Sequence, residues 1–275
     1  MAMDTLPDDD AATVLRSGSA HVTAPILPDV VEEARRLVAA ADEAGLRVRL
    51  IGGAAVRLHG GADFDPSFVR EIRDIDLVTG KGDGRRAEAF LEAQGYVANR
   101  TFNAMHGARR LLFYDEGHGR QVDVFINTFE MCHVLPVGEH LDRDPLTIPL
   151  ADLLMTKLQI VTLNAKDRSD AYAILLGHEL GAGDAECIDA GRIAELCARD
   201  WGLYRTSQLN FERLLGALPE SGLDDASRGL VAERIAGIVE AMERVPKSVK
   251  WKARARVGDR VRWYEEPDEV DQGGY

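Results

Sequence analysis

The sequence predicts an α+β protein, a mixed sheet with flanking helices followed by an all-helical C-terminal half. Three observations lead there. Two strand-like runs, LRVRLI (46–51) and RDIDLVT (73–79), alternate with helical patterns. A third pair, 109–114 and 120–127, flanks the turn-forming DEGHG and reads as a hairpin. From Leu150 onward, apolar residues recur almost only at helical spacing.

Taken in order, residues 1–24 are rich in Asp, Ala, Ser and Thr and read as a flexible arm. From Pro28, Val30, Val31, Ala34, Leu37, Val38 and Ala41 recur at helical spacing up to the stop at Gly45. A strand follows to Ile51, then a glycine pair and a short helix, AAVRLH. Residues 60–69 are a loop by their Gly, Asp and Pro content. After the strand 73–79 comes an amphipathic helix, 83–94, and then strands over 96–102 and 109–114. The helices of the second half are expected near 150–163, 168–177, 184–200, 205–217 and 224–244, with a basic helix or strand from Pro246. The organisation is thus an arm (1–24), an α/β domain (25–145), a helical domain (146–264) and an acidic tail (265–275).

Bulk properties narrow the function classes. Hydrophobic residues make up 45%, enough for a sizeable core. A net charge of −13 argues against broad, non-specific nucleic-acid binding, though not against a local basic patch. Cys132, Cys187 and Cys197 show no CxxC spacing, which disfavours a disulfide scaffold and fits a reducing compartment. The start, MAMDTLPDDD, has no apolar stretch of the signal-peptide kind, and no run approaches a membrane span. The expectation is a cytoplasmic protein with no membrane partner. His133 and His140 beside Cys132 lack a fourth zinc ligand at suitable spacing, and neither GxSxG nor a P-loop is present.

The chemistry concentrates in residues 51–78. Gly52 and Gly53 end a strand and open a helix, whose first N–H groups suit phosphate. A tight turn without function has the same appearance. Asp74 and Asp76, two apart on a strand, share a face with Cβ atoms roughly 6–7 Å apart, a spacing that lets carboxylates hold hard cations. Asp123 repeats the apolar–acid–apolar form between Val122 and Val124. An aspartate within an apolar strand is costly unless it is paired or metal-bound. The plainer reading pairs Asp74 with Arg70 or Arg73 and leaves Asp123 in solvent. Arg70 precedes Asp74 by four residues and is either a solvated arginine or a phosphate ligand. Lys157 falls in the middle of the stripe formed by Leu150, Leu153, Leu154, Leu158 and Val161, so it must snorkel or meet an anion. Asp167 suits a helix N-cap. Asp170 shares a face with Ala173, Ile174 and Gly177, and so points inward toward Lys157.

These residues resemble the polymerase-beta-like nucleotidyltransferase superfamily. Within it they look most like the AbiEii-like (abortive-infection) nucleotidyltransferases, many of them toxins of toxin–antitoxin pairs. That group has a GG helix start, an R-x-T-x-D-x-D segment, a lone Asp on a later strand, a Lys helix and an R-D-x-x-D segment. Here the matching positions are Gly52 and Gly53, Arg70 with Asp74 and Asp76, Asp123, Lys157, and Asp167 with Asp170, over about residues 46–176. Ile72 stands in place of Thr and Lys166 in place of Arg, and neither change removes a metal ligand.

The resemblance implies a nucleotidyltransferase-type sheet and transfer of a nucleotide from an NTP to a hydroxyl with two magnesium ions, or manganese. Asp74 and Asp76 would bridge the ions. Asp123 would hold the second and could serve as general base. Gly52, Gly53, Arg70, Lys157 and Asp170 would form the nucleotide and phosphate site. It also implies a tRNA acceptor and an antitoxin partner. The segment 247–263, with Lys247, Lys250, Lys252, Arg254, Arg256, Arg260 and Arg262 interleaved with Trp251 and Trp263, could dock tRNA through 247–262; tryptophans packed into the core beneath a solvated basic face are the plainer alternative. Two other functions fit the same residues: a nucleotide- or partner-binding module without turnover, and an antibiotic-type, small-molecule nucleotidyltransferase.

Overall fold

A computed structural model describes residues 25–60, 64–183 and 186–266. The expected arm (1–24) and most of the expected acidic tail (267–275) lie outside the described residues. Helix α1 (Val30–Glu43) starts at Asp29, whose side chain accepts from the N–H groups of Val31 and Glu32, and buries Ala34, Leu37, Val38 and Ala41. Strand β1 (Val48–Ile51) runs straight into α2 (Gly52–Gly60). A 3₁₀ turn, Pro66–Phe68, precedes β2 (Asp74–Thr79). Helix α3 (Gly84–Ala93) then carries the chain to β3 (Val97–Ala98), α4 (Arg100–His106), β4 (Arg110–Asp115) and β5 (Arg120–Ile126).

The five strands form one mixed sheet in the order β1-β2-β5-β4-β3. Only β2 and β5 run parallel, and their register sets Asp76 directly against Asp123. Ile75, Leu77, Val122, Val124, Leu111 and Phe113 are wholly buried on one face. They share a core cluster with Leu37 and Val38 of α1 and Ala87 and Leu91 of α3. Asp74, Asp76, Gln121, Asp123 and Arg110 occupy the other face, as the two-residue period of a strand requires.

The C-terminal half is helical as expected: α5 (Leu150–Leu158), α6 (Ala165–Gly177), α7 (Ala190–Arg199), α8 (Trp201–Ala217), α9 (Asp225–Arg244) and α10 (Val249–Val257). All nine residues of α5 are buried, because α2, α6, α7 and α8 pack around it. The hydrophobic core is continuous across both halves, from Ala34 to Met242.

Several expected elements differ, each for a local reason. The strand expected over 96–102 stops at Ala98. Asn99 caps α4 by accepting from Phe102 N–H, and Asn103 within α4 takes the N–H of Leu112 at 2.8 Å. Helix α5 ends at Leu158 and not near 163, because the Asn210 amide donates to the carbonyls of Leu158 and Ile160. Helix α7 begins at Ala190, later than the expected 184. Asp200 then both ends α7 and caps α8, accepting from Gly202 and Leu203, so α8 starts earlier than 205. A small hairpin of β6 (Phe129–Glu130) and β7 (Val134–Leu135) was not anticipated. His133 Nε2 meets the Thr206 hydroxyl, and His140 lies 3.7 Å from Asp152. No described helix is long and apolar enough to cross a membrane.

Replacing Asn99 with Ala removes the α4 cap and is expected to cost about 1 kcal/mol. Urea denaturation measures this, with faster amide exchange over 100–106; an unshifted midpoint would show that the cap contributes nothing.

Candidate active site

The polar face of the sheet opens into a cleft of about 660 Å³ between the β2–β5 pair and α5, lined by Gly52, Gly53, Asp74, Asp76, Asp123 and Lys157, among others. The sequence builds it from the backbone outward. Gly52 sits at φ +71°, a conformation open to glycine at little cost. A Cβ at Gly52 would fall inside the Asp76 carboxylate. One at Gly53 would come within 2.6 Å of Arg70 Nη2. Gly52 is therefore needed for the close approach of Asp76, while a side chain at Gly53 would displace the Arg70 guanidinium.

The carboxylates differ sharply in their surroundings. Asp74 is exposed and Asp76 half-buried, and neither accepts a hydrogen bond from any described residue. Arg70 and Arg73 do not pair with Asp74; Arg73 pairs with Glu71 at 2.6 Å. Asp123 is buried and fully engaged. Arg110 Nε donates to its Oδ1 at 2.7 Å, and Gln121 Nε2 donates to its Oδ2 at 2.7 Å. Burial, with the like charges of Asp74 and Asp123 added, pushes the Asp76 carboxyl up to about 8; Lys157 and Arg110 offset only part of this.

A second group faces the carboxylates. Asp170, at the centre, accepts from Arg70 Nε at 3.1 Å and Nη2 at 2.9 Å, and lies 2.9 Å from Lys157 Nζ. Asp167 lies 3.7 Å from the same ammonium. Lys157 is buried, so it meets an anion instead of snorkelling, and that anion is Asp170. Burial acts to lower the Lys157 pKa and to raise that of Asp170. Their pairing outweighs it in both, so Lys157 titrates above its usual value and Asp170 below. Asp170 faces the two cations and positions them, while Lys157 and Arg70 line the cleft. Asp167 is not itself the N-cap of α6; Asn164 fills that role by accepting from Asp167 N–H.

Of the eight site residues singled out from the sequence, Gly52, Gly53, Arg70, Asp74, Asp76, Asp123 and Lys157 line this cleft, and Asp170 joins them through its ion pairs to Arg70 and Lys157. Sequence reasoning missed Arg110, Gln121 and the apolar wall of Phe125, Phe129, Met131 and Ile160. The hairpin register carried a usable signal for Arg110. It pairs Arg110 with Phe125, which places the arginine diagonally across from Asp123, within reach of a long side chain.

The donor set fits a hard divalent cation. It is all carboxylate oxygen, Asp74 and Asp76 are free to coordinate, and the Asp76 charge lacks a full counter-charge. As the side chains stand, no group of three or more His, Cys, Asp or Glu among the described residues is drawn together tightly enough to hold one.

The fold and the cleft define an α+β protein with an acidic strand pair facing a cation-lined wall. Among solved structures, the solution structure of the antibiotic-resistance factor ANT(2'')-Ia is similar at a TM-score of 0.39 and 18% identity, over 62% of this chain and 94% of that one. No protein-family model matches the chain, and no curated protein does so.

The raised Asp76 pKa has a consequence for stability. The unfolded carboxyl has its ordinary value of 3.8, so the folded protein holds the proton more tightly. Stability is therefore lost as pH rises from about 4 to about 8. Asp76→Asn removes this cost. In chelator, its melting temperature is expected to match the wild type near pH 4 and to exceed it at pH 9. A gap that does not change with pH would show that Asp76 titrates normally.

Proposed function

We propose that this protein is a divalent-metal-dependent nucleotidyltransferase, moving a nucleotide from an NTP to a hydroxyl acceptor. One observation carries the reading: Asp74, Asp76 and Asp123 share one face of two adjacent parallel strands, in a cleft that also holds the Gly52–Gly53 helix start and the Arg70–Lys157 cation pair. Asp74, Asp76 and Asp123 would hold magnesium or manganese, which supplies Lewis-acid stabilisation of phosphoryl charge. Arg70 and Lys157, fixed by Asp170, present two cations to the triphosphate and to the charge that develops on the leaving pyrophosphate. Asp123 lies beside Asp76 and would serve as general base for the acceptor hydroxyl. Phe125, Phe129, Met131 and Ile160 offer an apolar wall for a base ring.

For the acceptor, we infer RNA, a tRNA 3′ end by the resemblance to toxin-type relatives; an antitoxin partner belongs to the same inference. The two tryptophans of the basic segment pack inward. Trp251 Nε1 donates to Cys197 O at 2.9 Å, and Trp263 Nε1 to Thr206 Oγ1 at 3.0 Å. Lys250, Lys252, Arg256 and Arg260 remain exposed, with no hydrogen bond or ion pair among the described residues. Three residues past this segment the chain is tied back to the first half. Glu265 N–H bonds Cys132 O at 3.1 Å, next to Met131 of the apolar wall.

Incubation with magnesium and each labelled NTP, with and without total tRNA, tests the reading. The wild type is expected to label RNA, and Asp76→Ala to lose labelling by about 10²-fold or more, the loss of several kcal/mol of charge stabilisation. NTP binding without any labelled product would favour the binding module without turnover, a reading helped by the engaged state of Asp123.

Lys250→Ala, Lys252→Ala and Arg256→Ala should each weaken RNA binding and lower the slope of log affinity against log salt by about 1, with NTP affinity unchanged. Unchanged slopes in filter binding would remove the segment from the acceptor site.

A further inference from the structure

Of the three carboxylates on the polar face, two stand without hydrogen bonds and one has both oxygens taken. Arg110 reaches Asp123 from β4, with Nε 2.7 Å from Oδ1. Gln121, two residues along the same strand, holds Oδ2 at 2.7 Å. Asp123 is the only acidic side chain paired with Arg110 among the described residues. The guanidinium also lies over two aromatic rings, 5.1 Å from the centroid of Phe125 and 5.7 Å from that of Phe102. Those rings hold the head of the arginine without using up its donors. The pair is buried at the Asp123 end, so solvent ions screen it little.

A cation shared between Asp76 and Asp123 would have to occupy the ground that Arg110 now serves. A guanidinium and a divalent ion compete for the same carboxylate lone pairs. A nucleotide changes that competition. Its phosphates offer Arg110 a two-pronged partner of the kind guanidinium prefers, reachable from the same cleft wall.

We propose that Arg110 is a built-in counter-cation for Asp123. It keeps this third carboxylate out of metal binding until a nucleotide arrives, so that the protein alone takes one divalent ion, at Asp74 and Asp76, and takes the second only together with NTP. Arg110 is on this account a positioning residue, acting through Asp123. The inference rests on the nucleotidyltransferase reading and adds to it an order of loading.

Manganese binding followed by electron paramagnetic resonance, with no nucleotide present, reads the stoichiometry directly. The wild type is expected to bind one ion per chain. Arg110→Gln, which keeps a polar head over the rings, and Arg110→Ala are expected to bind a second ion about tenfold or more tightly than the wild type does. Arg110→Lys keeps the charge without the fork and should fall between them. Asp123→Asn should bind one ion whether or not Arg110 is present. With a non-hydrolysable ATP analogue added, the wild type should reach two ions and the difference from Arg110→Gln should vanish.

If Arg110→Gln and Arg110→Ala both titrate like the wild type while the wild type labels an acceptor, the counter-cation role is overturned and the enzyme reading stands. If no form binds manganese and the wild type labels nothing, both fall.

Discussion

The parallel pairing of β2 with β5 sets Asp76 directly against Asp123, and the rest of the cleft answers that contact. Neighbouring strands lie about 5 Å apart, so two ionised carboxylates at that spacing repel by about 3 kcal/mol at an effective dielectric near 20. Asp74 adds a third charge on the same face. The protein meets this unequally. Asp123 is ion-paired with Arg110 and hydrogen-bonded by Gln121, while Asp76 has only more distant cations and holds its proton to about 8. A purely structural cluster would show balanced pairing. Leaving one carboxylate under-compensated beside a glycine that makes room for it, at a cost in stability, is what a cation-binding site requires.

The helical half belongs to the site as much as the sheet does. Arg70 precedes β2, Lys157 is on α5 and Asp170 is on α6, so one carboxylate joins the two halves at the cleft wall. Taking two cations out of water is costly, and Asp170 offsets that cost only because both reach it at about 2.9 Å. The same contact fixes the guanidinium and the ammonium side by side. They keep donors aimed at the cleft with little freedom left to lose when an anion binds.

The parts of this arrangement that were legible in the sequence are those where a residue contradicts its pattern. Lys157 within an apolar stripe, and aspartates within strands, announce that something must neutralise them. Asp170 on the inward face of its helix names the partner. The fold class followed from the change of apolar period near Leu150. What stayed hidden depends on single side-chain bonds. Asn99 turns an expected strand into α4 by capping it, and Asn210, some fifty residues away, ends α5 by taking its carbonyls. Arg110 was missed because its partner is diagonal across a hairpin, a contact that follows from register and not from composition.

The acidity of the chain bears on how a polyanion could still be received. At a net charge of −13 the mean field repels RNA, yet at physiological salt that field falls away within about 8 Å. Only charges close to the contact then count. Along α10 these are Lys250, Lys252 and Arg256, none of them tied to a described acidic partner. Arg254 is spent differently. It lies 4.4 Å over Trp201 and donates to the carbonyls of Gly258 and Val261, which fixes the turn after the helix. With Trp251 bonded into α7 and Trp263, past the helix, bonded into α8, the segment is anchored on one side and keeps an exposed basic front. A backbone-tracking contact needs no base readout from such a front, so if RNA is the acceptor, as proposed, discrimination among RNAs would fall to the cleft, beside the wall of Phe125, Phe129 and Met131.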